Sequence, residues 1–222
     1  MTRATFPPGS PDRAGAAPRP RDQLEEADRL RLLGQLDRAE SICNTLIRRY
    51  PDYVAALHTL GLVYLDKRNY GRALDCLVRA SMLAPDNWMT LTALALAYQR
   101  LGGTEMAAQT LQRAQAIQPR DATILASLGE VYRDEQEFEL AQEAYRQALA
   151  IDPNLEPAIV GFAGSLAVVG RIAEAATALG RALQRGLRSP GLLHVVTMLP
   201  ADAIDLDLLG ADRKSTRLNS SH

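Results

Sequence analysis

The sequence predicts an all-α solenoid built from antiparallel helix pairs, and three observations support this prediction. First, prolines recur at intervals of 34 residues: Pro51, Pro85, Pro119 and Pro153. Second, apolar residues within each interval are three or four apart, as on one face of an α-helix, and a polar stretch divides them into two runs. Third, a small residue recurs where two helices must approach closely: Ala27, Gly61, Ala95, Gly129 and Ala163. One such hairpin cannot bury its apolar side alone, so neighbouring hairpins must stack.

Composition excludes several classes of protein. The 222 residues carry a net charge of −1, which provides no basic surface for nucleic acid. The first residues contain no apolar core of a secretory signal, and no segment is long and apolar enough for membrane insertion. Cys43 and Cys76 lack the spacing of a metal site, so we expect two buried free thiols. A soluble, cytoplasmic protein is therefore expected.

Residues 1–20 differ in composition from the rest of the chain. They contain five prolines among many alanines, glycines and serines, with too little apolar content to offset the entropy of ordering. We expect a disordered tail here. Its excess of arginine could contact an acidic partner, but a solvated extension is the simpler interpretation.

The helical array is predicted over residues 21–189. It consists of five units, called repeats one to five below: 20–53, 54–87, 88–121, 122–155 and 156–189. In unit one, Gln23 and Glu26 stand where large apolar residues are expected, as suits a terminal repeat on which nothing stacks. In unit five, Leu187 replaces the closing proline. Unit two should contain helices at about 54–67 and 70–83, as judged from the repeat pattern.

The region 190–211 follows the array. Its apolar stripe predicts a capping helix that lies on the exposed end of unit five: Leu192, Leu193, Val196 and Leu199. The apolar residues after Pro200 are too few to assign. The last eleven residues, 212–222, resemble the translation of a short-read sequencing adapter, so we treat them as non-native and expect the natural chain to continue past Gly210.

The 34-residue period, together with the recurring tyrosines Tyr64, Tyr98 and Tyr132, closely resembles the tetratricopeptide repeat. The resemblance covers residues 20–189. It implies a right-handed superhelix with a concave groove, and a protein–protein interaction scaffold that binds a partner peptide or helix there. An intramolecular segment is the alternative occupant of the groove.

No catalytic motif is present. His58 and His194 are far apart and belong to no metal-binding pattern, and no serine lies in a nucleophile motif. The pair Gly102–Gly103 lies between two predicted helices and not after a strand, so it is no phosphate loop. We predict no enzyme activity, no metal and no cofactor for these residues.

The groove should be lined by the first helix of each unit. Positions 2, 5, 9 and 12 of that helix form a face separate from the face that packs on the second helix. With Arg100, Glu130 and Arg133 expected to orient the partner, the candidate partner-binding residues are His58, Leu62, Leu65, Met89, Thr92, Leu96, Gln99, Arg100, Ala126, Glu130, Arg133, Val160 and Gly164. Gly164 on this face predicts that another segment packs there: the 192–199 helix, a downstream region or a partner.

One alternative function remains open at this level. The array could be the N-terminal module of a longer enzyme, because tetratricopeptide arrays precede sulfotransferase, glycosyltransferase and methyltransferase domains. The reading frame beyond Gly210 would distinguish the two, because a catalytic domain needs roughly another 100–200 residues. The identity of the partner and the oligomeric state do not follow from the sequence.

Overall fold

The computed structural model describes residues 19–200, and this part of the chain consists of helices joined by short turns. Its eleven helices are α1 Pro20–Leu32, α2 Leu36–Arg49, α3 Val54–Asp66, α4 Tyr70–Leu83, α5 Trp88–Arg100, α6 Thr104–Ile117, α7 Ala122–Asp134, α8 Phe138–Ile151, α9 Glu156–Val168, α10 Ile172–Gln184 and α11 Pro190–Met198. Helix α1 starts at Pro20, which the sequence had placed in the tail. Residues 1–18 and 201–222 lie outside the described part, and with them the rest of that tail, the short apolar segment after Pro200 and the adapter-like end.

The turn inside each helix pair has the same geometry throughout the array. At positions 34 residues apart the backbone enters the left-handed region: Gly34, Arg68, Gly102, Gln136 and Gly170. The following amide then donates to a carbonyl five residues earlier, as Asn69 N does to Tyr64 O at 2.8 Å. This is a Schellman motif, in which amides beyond the helix end donate to the carbonyls of its last turn and the chain reverses direction.

Several helices begin at a side-chain cap. The Asn69 and Asn87 side chains accept hydrogen bonds from the amides of Arg72 and Thr90, at 3.4 and 3.2 Å. Asp121 accepts from two amides at the start of α7, at 2.8 and 3.1 Å. These caps satisfy donors that the first turn of a helix leaves unpaired, so each of these helices starts at a fixed point.

Packing follows the order of the chain. The helices of each pair contact one another, and each first helix also contacts the first helix of the next pair: α1 with α3, α3 with α5, α5 with α7 and α7 with α9. Within residues 19–200 no helix packs on one more than two places away. This chain of neighbour contacts is an all-α repeat solenoid, as the sequence predicts.

Helix α11 continues this pattern in place of a sixth first helix, because it contacts both α9 and α10. Its apolar side, with Leu192, Val195 and Val196, is buried on the end of repeat five, as is Leu199 directly after it, whereas Leu193 of the predicted stripe is exposed. None of the described helices is long and apolar enough to cross a membrane.

The recurring small residues are the points where the helices of one pair approach most closely. A Cβ on Gly61 would lie 2.6 Å from Leu77 Cγ, and one on Gly129 would lie 2.6 Å from Tyr145 Cε1. Leu77 and Tyr145 occupy the same position of the second helix and have no exposed surface. The expected close contact at Gly129 is confirmed, and the partner is an aromatic ring.

Candidate partner-binding groove

The first helices of repeats two, three and four stand side by side and form a cavity of about 490 Å³, which we call the groove. Helix α3 contributes one wall, α5 the floor and α7 the other wall. Nine of the predicted residues line it, with both apolar and polar side chains among them: His58, Leu62, Leu65, Met89, Thr92, Leu96, Gln99, Arg100 and Glu130.

The centre of the groove is apolar and accessible. Met89 is 53% exposed and Leu96 is 37% exposed, which is high for large apolar side chains. Leu62 and Leu65 on α3 are half-buried and extend this surface. A connected apolar surface of this kind is typical of a binding groove, whereas single exposed leucines are common on any protein.

His58 lies at the α3 wall and is held by a neighbouring helix. Its Nδ1 is 3.2 Å from Thr90 Oγ1 on α5, so the two side chains share a hydrogen bond. Burial lowers the pKa of His58 below its usual value, although Asp28 opposes this effect. The imidazole is therefore neutral near pH 7, and it offers a hydrogen bond and not a charge.

The edge of the groove carries polar pairs between neighbouring first helices. Arg31 Nη1 lies 2.9 Å from Asp66 Oδ2, and Gln99 Nε2 donates to Asp134 Oδ2 at 2.6 Å. Both pairs are 35 residues apart in the chain. The corresponding pair between them is Leu65 and Arg100, and a leucine cannot neutralise a guanidinium.

Arg100 is consequently an exposed cation at the edge of an apolar surface. In the described part of the chain no carboxylate lies within 4.0 Å of it. The other predicted charges are paired, since Arg133 Nη2 lies 3.1 Å from Glu130 Oε2 and 3.8 Å from Asp134 Oδ1. Arg133 thus stands beside the groove and holds Glu130, without lining the cavity itself.

Besides Arg133, three predicted residues do not line the groove. Ala126 is 3% exposed and packs in the core of repeats four and five, and its neighbour Ser127 lines the cavity in its place, together with the predicted Glu130. Val160 packs against the core that includes α11. Gly164 is half-exposed, and a Cβ there would meet no atom within 4 Å.

Trp88 also lines the groove, although it is not among the residues predicted from the sequence. It is half-buried against the core of repeats three and four, with part of its ring facing the cavity. The spacing Trp88, Thr92, Leu96 is four residues each time and marks one helical face, so this signal could have identified it.

The described residues show little sign of chemistry in the groove. No group of three or more His, Cys, Asp or Glu side chains among them could hold a metal ion. Cys43 and Cys76 are free; Cys43 is buried as expected whereas Cys76 is only half-buried, and desolvation raises their pKa values to about 12 and about 11. Such thiols are weak nucleophiles near pH 7.

Two family models match the chain. One, described as "Tetratricopeptide repeat", matches residues 24–86, and the other, described as "Psidin, N-terminal TPR repeats region", matches residues 62–167. No curated protein matches the sequence significantly.

Several solved structures share the fold. The thermophilic TPR protein TTC0263 from Thermus thermophilus is 23% identical with a TM-score of 0.70, and the match covers 81% of this chain and 98% of that one. A structure of MamA is 26% identical with a TM-score of 0.64, covering 72% and 94%. YrrB, described as a TPR protein with an unusual peptide-binding site, is 20% identical with a TM-score of 0.61, covering 79% and 90%.

Proposed function

The chain belongs to the tetratricopeptide-repeat family, and from this premise we propose that it is a non-catalytic interaction scaffold whose groove binds a peptide or helix of a partner protein. The observation that carries the proposal is the exposed Leu96 and Met89 beside the unpaired Arg100. The fold and its relatives support a scaffold in general; the groove as the binding site is our proposal.

Affinity would come from the apolar centre of the groove. Burying apolar surface contributes about 25 cal/mol per Å², and a fully covered leucine about 1.5–3 kcal/mol. Leu62, Leu65, Met89 and Leu96 could all be covered by one amphipathic segment. Such a segment needs apolar side chains three and four apart if it is helical.

Orientation would come from Arg100. An acidic side chain of the partner, placed beside its apolar residues, could supply the carboxylate that Leu65 does not. Charge-assisted pairs between a guanidinium and a carboxylate fix geometry as well as adding affinity. We therefore propose a partner segment that is apolar with an acidic residue at one end, and not a basic one.

YrrB is relevant here because its own description reports peptide binding on the same fold. At 20% identity this likeness concerns the fold alone, so the groove residues of the present chain must be tested directly.

The test is peptide selection with the purified full chain. Phage-displayed peptides should be selected on the wild-type protein, and the recovered peptides measured by fluorescence anisotropy against Leu96→Arg and Arg100→Glu. We expect Leu96→Arg to weaken binding at least about tenfold, because a charge would enter the apolar centre. Arg100→Glu should reverse the preference from acidic to basic peptides.

The matched control is Leu140→Arg, which changes a leucine that is 51% exposed on α8, outside the groove. It should leave binding unchanged. Peptides that bind Leu96→Arg as tightly as the wild type would exclude the groove as the site.

A further inference from the structure

A second cavity, of about 350 Å³, lies between α8 and α10 on the side formed by the second helices of the repeats. Both helices pack on α9 and, within residues 19–200, neither packs on the other. The floor of the cleft is apolar, with Leu149, Ile159 and Phe162, and three arginines surround it: Arg146, Arg181 and Arg185. We call this the arginine pocket.

In repeat two the arginine at the same place is neutralised by two partners. Arg79 Nη2 donates to the Pro51 carbonyl at 2.5 Å and lies 3.5 Å from Asp52 Oδ1. Three repeats of 34 residues separate Arg79 from Arg181, and likewise Pro51 from Pro153. The arrangement in repeat two is therefore an internal reference for repeat five.

Both partners are missing for Arg181. Asn154 stands at the position of Asp52, three repeats later, so the carboxylate beside the arginine is replaced by a neutral amide. The Pro153 carbonyl accepts from Arg185, whose guanidinium also donates to Asn154 Oδ1 at 3.2 Å. The described residues provide no hydrogen bond and no ion pair to the Arg181 side chain.

The other two arginines are less available. Arg185 is held by the loop after α8, and Arg146 is paired with Glu143 on its own helix. One free guanidinium thus faces an apolar cleft whose surroundings remain positively charged. The positive charge around the cleft would attract an anion at long range. At short range only the Arg181 guanidinium has free donors, and these suit a single carboxylate.

We infer that the arginine pocket is a second docking site, which takes an acidic–apolar segment of a partner protein. An apolar side chain enters the cleft over the half-buried Leu149 and Phe162, and an adjacent carboxylate pairs with Arg181. A nucleic acid or an anionic membrane would need a row of free cations, and of the three arginines around this pocket only Arg181 is free. This site lies beyond the groove and does not depend on the function proposed for it.

The probe for this site is the fluorescein-labelled peptide Asp-Leu-Asp-Leu-Leu, whose sequence the chain itself carries at 205–209. Anisotropy titrations with the full chain should show saturable binding that weakens as salt is raised. We expect Arg181→Glu to weaken binding at least about tenfold, since it removes a charge-assisted pair and adds repulsion.

Asn154→Asp is the gentler variant, because it restores the aspartate that Asp52 provides beside Arg79 and should also weaken binding. Arg79→Glu, at the matching position of repeat two, should leave the affinity unchanged. The titrations are repeated in the Leu96→Arg background, which removes binding of the same probe to the groove, and Arg181→Glu should weaken binding there as well. The peptide with both aspartates replaced by asparagine should bind more weakly.

Three results would overturn the inference. Loss of binding in Leu96→Arg with full binding in Arg181→Glu would place the peptide in the groove. If the probe binds more tightly to the full chain carrying Asp205→Asn and Asp207→Asn, the chain's own segment at 205–209 competes with the probe and is the occupant of the pocket. A dimer in sedimentation that Arg181→Glu dissociates would identify a second copy.

Discussion

The contact between repeats four and five can be tested by replacing Gly161 with alanine. Tyr145 is fully buried, and its ring lies between two glycines, Gly129 on α7 and Gly161 on α9. A Cβ on Gly161 would lie within 2.6 Å of the Cε1 atom of that ring. The phenol donates to Glu130 Oε1 at 3.3 Å. This hydrogen bond and the two flanking helices hold the ring, so it cannot move aside without breaking a contact.

The magnitude follows from two opposing effects. Overpacking a well-filled core costs typically 1–3 kcal/mol. Replacing glycine by alanine inside a helix stabilises it by up to about 1 kcal/mol. A rigid aromatic neighbour favours the upper end of the overpacking cost, so we expect Gly161→Ala to destabilise by about 2 kcal/mol, or about 4–8 °C in the melting midpoint of a chain of this size.

Gly164 on the same helix provides the control, because a Cβ there meets nothing within 4 Å. Gly164→Ala should therefore stabilise by up to about 1 kcal/mol. Urea unfolding followed by circular dichroism gives both values, and hydrogen exchange should show that the loss in Gly161→Ala begins at repeats four and five. A smaller side chain in Gly161→Ala/Tyr145→Leu should recover part of the loss. If Gly161→Ala proves as stable as Gly164→Ala, the reasoning about Tyr145 is wrong.

Two further predictions concern charge and burial in repeats one and two. Hydrogen bonds from Lys67 lower the pKa of Glu40 below its ordinary range, so this contact stabilises the fold above about pH 4.3 and is lost as the pH falls through the lower folded-state pKa. The urea midpoint of Lys67→Met should accordingly fall less than that of the wild type between about pH 6 and about pH 3, and equal losses would contradict the contact. Cys43 has no exposed surface and burial raises its pKa to about 12, so at pH 8 a thiol reagent should label it only as fast as the chain opens. Immediate labelling of Cys43 in the native protein would show that it is accessible.

The fold was largely predictable because its signal repeats. The 34-residue period fixes where each helix pair starts, and the helices at 54–66 and 70–83 differ from the sequence estimate by one residue. What the period cannot show is which neighbour fills the space beside a small residue. The period does not single out Gly161, because its role depends on Tyr145, a residue 16 positions earlier whose ring reaches it from the previous repeat.

The groove was harder to predict for a related reason. In α3 and α5 every residue predicted from the helical spacing lines the cavity. In α7 the adjacent residues Ala126 and Ser127 are both small, so a shift of one residue exchanges one for the other without changing the pattern. The unpaired state of Arg100 depends on Leu65 from the preceding repeat, and that pairing becomes visible only once the helices are placed side by side.

Helix α11 has a consequence for self-association. A repeat array offers the same apolar side at its growing end that each repeat offers to the next, so uncovered ends of separate molecules can join head to tail. Such contacts do not close by symmetry and lead to open filaments. By covering Ile159, Leu179 and Leu183, helix α11 removes this apolar side of repeat five from such contacts.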